Sequence, residues 1–138
     1  MTGLCASVEL EVPFQDLDPM NVVWHGNYFR YFEAARAALL RRIDYDYPRM
    51  EESGFLWPIV DTRIKYIRPA RYAQRLRVTA RLVEWENRLR IDYEICDAEN
   101  GEKLTSGFTI QCAVDARSGE LQFVTPEALR RRIERSLA

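Results

Sequence analysis

Residues 14–28 read Phe14-Gln15-Asp16-Leu17-Asp18-Pro19-Met20-Asn21-Val22-Val23-Trp24-His25-Gly26-Asn27-Tyr28. They gather two carboxylates, the only histidine of the chain and a glycine just ahead of a stretch that reads as a helix. A helix start presents backbone N–H groups without intrahelical acceptors and the positive end of the helix dipole. Such a place can hold an anion, or the oxyanion that forms when a carbonyl is attacked. Gly26 would let that carbonyl approach the backbone closely. Asp18, held beside it, could act as a general base on water or as a direct nucleophile. A carbonyl bearing a thiolate leaving group needs little more. Taken singly, Asp16 and Asp18 read equally well as turn formers or helix caps, and His25 as a structural histidine.

The elements that must position these residues follow from periodicity. Val8, Leu10, Val12 and Phe14 alternate with Glu9, Glu11, Pro13 and Gln15, a half-buried strand that Pro13 places at an edge or near its end. Turn formers follow at Asp16–Asn21. Tyr28, Phe32, Ala35 and Leu39 then fall on one helix face. Ala34, Ala35, Ala37 and Ala38 keep that helix slim, and Arg41 and Arg42 suit its C-terminal end. A short helix is predicted over Pro48–Ser53, stopped by Gly54. The period then changes to two. Val60–Tyr66, Leu76–Leu82, Leu89–Ile95 and Phe108–Val114 each alternate, with Phe108, Ile110, Cys112 and Val114 forming the apolar side of the last. Turns at Glu86-Asn87-Arg88 and Asn100-Gly101 predict hairpins, so these strands read as a four-strand meander. A basic helix over Pro126–Ser136 closes the chain. The order is α+β, one long helix on one face of an antiparallel sheet, with the other face solvated or against a partner subunit.

The residues of the loop and helix start resemble the signature of the 4-hydroxybenzoyl-CoA thioesterase family, including its Tol–Pal-associated branch. The matching positions are Asp16, Asp18, Val22, Val23, Trp24, His25, Tyr28, Glu33 and Arg36. The resemblance covers about residues 6 to 120 and implies a hotdog fold, an antiparallel sheet wrapped around one long central helix, as a single domain over residues 1–138. It implies hydrolysis of an acyl-CoA or acyl-carrier-protein thioester to free acid and thiol. Asp18 matches the catalytic aspartate, and the N–H groups near His25 and Gly26 match the helix-start donors that polarise the thioester carbonyl. The His25 side chain matches a histidine implicated in activity in one branch. Trp24, Tyr28, Glu33, Arg88 and Arg90 are the expected substrate contacts. Tyr28, with Phe29 and Phe32, also reads as core, Glu33 as an ion-pair partner for Arg36 at i+3, and Asp16 as structural. The chain departs from the pattern where many relatives carry glycine and Asn21 stands. At the hairpin where hydroxybenzoyl-type relatives grip CoA phosphates, only Arg88 and Arg90 keep the basic character and Glu86 opposes it. That leaves room for an acyl-carrier protein. A non-catalytic acyl-thioester binding module and a hotdog hydro-lyase are the competing readings.

Composition narrows the classes. The 138 residues suit one domain, 47% hydrophobic and 30% charged, with a net charge of −1. No global basic field exists to collect nucleic acid. Three widely spaced cysteines and one histidine make a zinc site an unpromising reading. No metal or cofactor is expected, coenzyme A being part of the substrate. With no apolar leader and no long apolar run, the chain is expected to be cytoplasmic, without a membrane span. The slim helix and the free sheet face predict a homodimer or homotetramer.

Overall fold

Residues Tyr28–Arg42 form the helix α1, on which the rest of the fold closes. The structure is a computed structural model that describes residues 3–137. Ahead of α1 lie β1 (Cys5–Glu11) and two short 3-10 turns at Phe14–Asp16 and His25–Asn27. Behind it come α2 (Tyr47–Ser53), β2 (Phe55–Leu56), β3 (Ile59–Tyr66), β4 (Arg75–Glu84), β5 (Leu89–Asp97), β6 (Lys103–Gln111), β7 (Val114–Asp115) and α3 (Glu127–Leu137). The helical stripe Tyr28, Phe32, Ala35 and Leu39 is buried, as its spacing predicts. Gly54 ends α2 in the left-handed conformation at φ 82°, where glycine carries no Cβ penalty.

The large sheet is antiparallel in the order β1-β4-β5-β6-β3. Its inner face is the period-2 set read from the sequence: Leu76, Val78, Ala80 and Leu82 on β4, and Leu89, Ile91, Tyr93 and Ile95 on β5, all buried. Burying one such aliphatic side chain stabilises the fold by about 1.5–3 kcal/mol. Leu129 and Ile133 of α3 are fully buried as well, which leaves Arg131 and Arg135 outside, while Arg130 and Arg132 are half-buried and Arg132 lies over the Tyr45 ring. Among the described residues no helix is long and apolar enough to cross a membrane.

Three expectations are corrected. The four strands are not a simple meander. β4, β5 and β6 are joined by hairpins, but β3 crosses over to pair with β6 at the far edge, while β1 takes the place beside β4. Second, the apolar alternation of the last long strand points the wrong way. Thr105, Gly107, Thr109 and Gln111 sit directly opposite Ile95, Tyr93, Ile91 and Leu89, so they share the inner face, and Phe108 and Ile110 lie on the other face, where Ile110 is nonetheless buried. The physical reason is room. A Cβ on Gly107 would lie 2.8 Å from Cε2 of Phe32 and 2.4 Å from the Arg63 carbonyl oxygen. Phe32 stacks on Tyr93 there, centroids 4.4 Å apart. Third, Phe14 belongs to a 3-10 turn and is exposed instead of continuing β1.

Candidate active site

The loop ahead of α1 is a small hairpin. Asp18 N–H donates to the Val22 carbonyl and Trp24 N–H to the Asp16 carbonyl, both at 2.9 Å. Its tip is the turn Asp18-Pro19-Met20-Asn21, closed by Asn21 N–H donating to the Asp18 carbonyl at 2.9 Å. Proline suits the second position of such a turn. Asn21 has φ 62°, a left-handed conformation that glycine and asparagine adopt most readily.

This turn fixes the carboxylate of Asp18. Its Oδ1 accepts the Met20 N–H at 2.8 Å, an Asx turn. Among the described residues Oδ2 meets no donor, and it remains available to a ligand. Asp18 lines a cleft of about 220 Å3 together with Met20, His25, Tyr28, Tyr66 and Ile67, among others. The opposite wall, residues 66–69, is tied to the loop through Ala70. Val23 N–H donates to the Ala70 carbonyl at 2.9 Å, and Ala70 N–H donates to the Tyr28 hydroxyl at 3.1 Å. Burial, opposed by the Ala70 N–H and reinforced by the Asp18 charge, raises the Tyr28 phenol above its ordinary pKa.

Asp16 has a different place. It is 3% exposed, and its Oδ2 accepts the Tyr31 hydroxyl and the Arg30 guanidinium, each at 2.5 Å. Burial first, then this carboxylate, raises the Tyr31 phenol far above its ordinary value. Asp16 and Asn27 are also joined, Asn27 Nδ2 donating to the Asp16 carbonyl at 2.9 Å. Asp16 thus pins the loop to the first turn of α1 and is structural, as the sequence suggests.

The turn His25–Asn27 stands at the head of the cleft. Asn27 N–H donates to the Trp24 carbonyl, whereas the N–H groups of His25 and Gly26 have no acceptor within the described chain. Tyr66 donates its hydroxyl to the His25 carbonyl at 2.8 Å and braces this turn from β3. The Trp24 ring lies over Gly26, where a Cβ would meet it at 2.3 Å. A second hollow begins at Gly26 and Asn27 and includes Glu33.

The structure brings Asp18, His25 and Tyr28 into one cleft and leaves Gly26 on the adjoining turn. Trp24 covers that turn without lining the cleft. Glu33 faces the second hollow and pairs loosely with Arg36, Nη2 to Oε1 3.9 Å, the ion pair that its spacing suggested. Arg88 and Arg90 do not line the cleft. Arg88 pairs with Glu84, and Arg90 pairs with Asp92 and lies over Phe108 on the outer sheet face. The sequence reading missed Tyr66, Ile67, Arg68 and Pro69. They stand some forty positions downstream of the loop, and no local pattern marks them. No group of three His, Cys, Asp or Glu side chains that could hold a metal occurs among the described residues.

Comparison with known proteins places this geometry in context. Residues 12–133 match the family described as the Thioesterase-like superfamily. A Bacillus subtilis protein named "Putative acyl-CoA thioesterase YneP" is 38% identical over 66 residues, 48% of this chain and 48% of that protein. A Synechocystis protein named "Putative esterase sll0410" is 31% identical over 101 residues, 72% of this chain and 61% of that protein. The matches span about half to three-fifths of the length of these curated relatives. Among solved structures, the DHNA-CoA thioesterase of Staphylococcus aureus superposes with a TM-score of 0.78 at 27% identity, covering 85% of this chain and 78% of that one. The hypothetical protein TT1821 of Thermus thermophilus reaches 0.82 at 30% identity, covering 94% and 97%. These neighbours share the hotdog arrangement of a helix in an antiparallel sheet. From Val12 to Ile133, the chain belongs to the Thioesterase-like superfamily.

Proposed function

We propose that this protein hydrolyses an acyl-CoA thioester to free acid and thiol, with Asp18 as the catalytic carboxylate. The observation that carries the reading is the free Oδ2 of Asp18 in a cleft that it shares with His25, whose N–H, like that of Gly26 on the adjoining turn, has no acceptor among the described residues. As a general base, Asp18 takes a proton from water. The resulting hydroxide attacks the carbonyl carbon, and the His25 and Gly26 N–H groups stabilise the oxyanion. The carbon–sulfur bond then breaks and the thiolate leaves with a proton. As a nucleophile, Asp18 would instead form an acyl anhydride that water opens. His25 and Tyr28 flank the reacting group, and Trp24 shields the turn from water. The family match and the acyl-CoA thioesterase named among the relatives support the reaction class. The sequence signature supports membership of the 4-hydroxybenzoyl-CoA branch. Coenzyme A is the carrier in this reading, no separate cofactor takes part, and the three free thiols suit a cytoplasmic setting.

A partner subunit belongs to the same proposal. β3 is an edge strand whose outer backbone groups are unpaired, and Ile59, Val60 and Tyr66 on it are exposed. An edge of this kind invites a second strand. A thiol-release assay over aryl, short-chain and long-chain acyl-CoAs, run beside Asp18→Asn, tests the reaction. No thiol release from any of them overturns the reading.

A further inference from the structure

A buried cation stands in the hollow beyond the His25–Asn27 turn. Arg36 of α1 is 8% exposed. Its one carboxylate partner among the described residues, Glu33, lies 3.9 Å away on a side chain that is more than half exposed. Glu33 is also approached by the Tyr47 hydroxyl at 3.4 Å, which competes for the same oxygen. Nε of Arg36 is buried without an acceptor. Burial opposes the charge, but the Tyr93 and Tyr47 hydroxyls and Glu33 outweigh it and raise the Arg36 pKa, so the unmet capacity is that of the buried Nε, and a closer carboxylate than Glu33 is not in place.

Arg36 borders two hollows that meet at it and at Ile59. One, about 440 Å3, runs from Gly26 along Phe29, Phe32 and Glu33. The other, about 530 Å3, is walled by Met50, Phe55, Leu56 and Trp57. Gln111 also borders the second. Its Nε2 donates to the Trp57 carbonyl at 2.8 Å, and its buried Oε1 has no donor. The groove is thus largely apolar, with one donor and one acceptor of unmet capacity part-way along it.

We infer that this groove holds the acyl group and that Arg36 and Gln111 select acyl groups carrying a hydroxyl or carboxylate oxygen at their far end over plain hydrocarbon. The inference rests on the hydrolase reading and names its substrate class. Arg36 follows Gly26 by ten positions, about 15 Å along a helix. Helical side chains lean back toward the N-terminus by about one turn, ~5 Å, which leaves about 10 Å between a carbonyl at Gly26 and the guanidinium. A medium-length acyl or a fused-ring aryl group spans that distance. A distal hydroxyl can accept from the guanidinium and donate to Gln111 Oε1, while a carboxylate supplies a closer counter-charge than Glu33 does. A plain alkyl end does neither, and a site built for polar contacts rejects the analogue that lacks them.

The test uses non-hydrolysable thioethers, S-octyl-CoA and its ω-hydroxy and ω-carboxy forms, titrated calorimetrically into the wild-type protein, Arg36→Met and Gln111→Glu. The oxygenated forms are expected to bind the wild type at least about tenfold tighter. Arg36→Met should bring all three within about threefold of one another, since the selecting group is gone. Gln111→Glu, the second variant should Arg36→Met not fold, should abolish the ω-carboxy advantage and spare S-octyl-CoA. Equal binding of the three by the wild type, no binding at all, or a preference that survives Arg36→Met overturns the inference. Because the probes cannot be cleaved, failure here leaves the thiol-release result standing on its own, and the reverse holds too.

Discussion

Replacing Asp18 with Asn exchanges one carboxylate oxygen for an amide nitrogen and removes a charge while keeping the shape. The structure says what survives. Oδ1 can still accept the Met20 N–H at 2.8 Å, so the Asx turn persists, and asparagine forms that turn as readily as aspartate. Asp18 is only partly buried and has no ion-pair partner among the described residues, so its loss strands no buried charge. Folding stability should therefore change by no more than about 0.5 kcal/mol, the range of substitutions away from packed or paired groups. The chemistry should respond differently. The freed position becomes an N–H donor that can neither take a proton from water nor attack a carbonyl. Loss of an acid–base group costs about 10²–10⁴ in rate, equivalent to about 2.7–5.5 kcal/mol of transition-state stabilisation. Thiol release, followed with a chromogenic disulfide, should show kcat/KM falling by that factor at an unchanged urea midpoint. A variant that keeps kcat/KM within about threefold of the wild type removes Asp18 from the chemistry. A large fall accompanied by a large loss of stability would make the effect structural.

Other expectations follow from the same geometry. Asp16→Ala strips the buried acceptor from the Tyr31 hydroxyl and should cost about 1–3 kcal/mol in urea unfolding; a cost below about 0.5 kcal/mol would mean that Asp16 does not pin the loop. Gly107→Val forces side-chain atoms into Phe32 and the Arg63 carbonyl, and overpacking of this kind destabilises by about 1–3 kcal/mol. An unchanged urea midpoint would show that the slot under Phe32 is not tight. The exposed edge of β3 predicts a dimer or larger assembly, and a monomer by light scattering at micromolar concentration would contradict it.

The sequence by itself determined the local elements and the reacting loop. Tyr28, Phe32, Ala35 and Leu39 announce α1 because burying one stripe of a helix requires that spacing. The strands β4 and β5 announce themselves by the two-residue alternation of a half-buried sheet. Asp18, His25 and Gly26 could be named because they are adjacent along the chain, so chain geometry alone keeps them close. Asp16 and Asp18 look alike in sequence. The family resemblance gives them different roles, and the fold supplies the physical difference, burying Asp16 against Tyr31 and Arg30 and leaving Asp18 Oδ2 open to the cleft.

Tertiary structure decided what depends on distant pairing. The crossover of β3 to β6 sets one wall of the cleft, and no local signal records which strand a given strand will meet. The face that β6 turns inward was decided by the volume of Phe32, which needs Gly107 beneath it more than the sheet needs Phe108 inside. Tyr66, which braces the His25 carbonyl, and Arg36 and Gln111, which meet in one groove, are brought together by packing across the sheet and helix. Side chains far apart in sequence become neighbours only when burial chooses one register from many, and that choice is a property of the whole core.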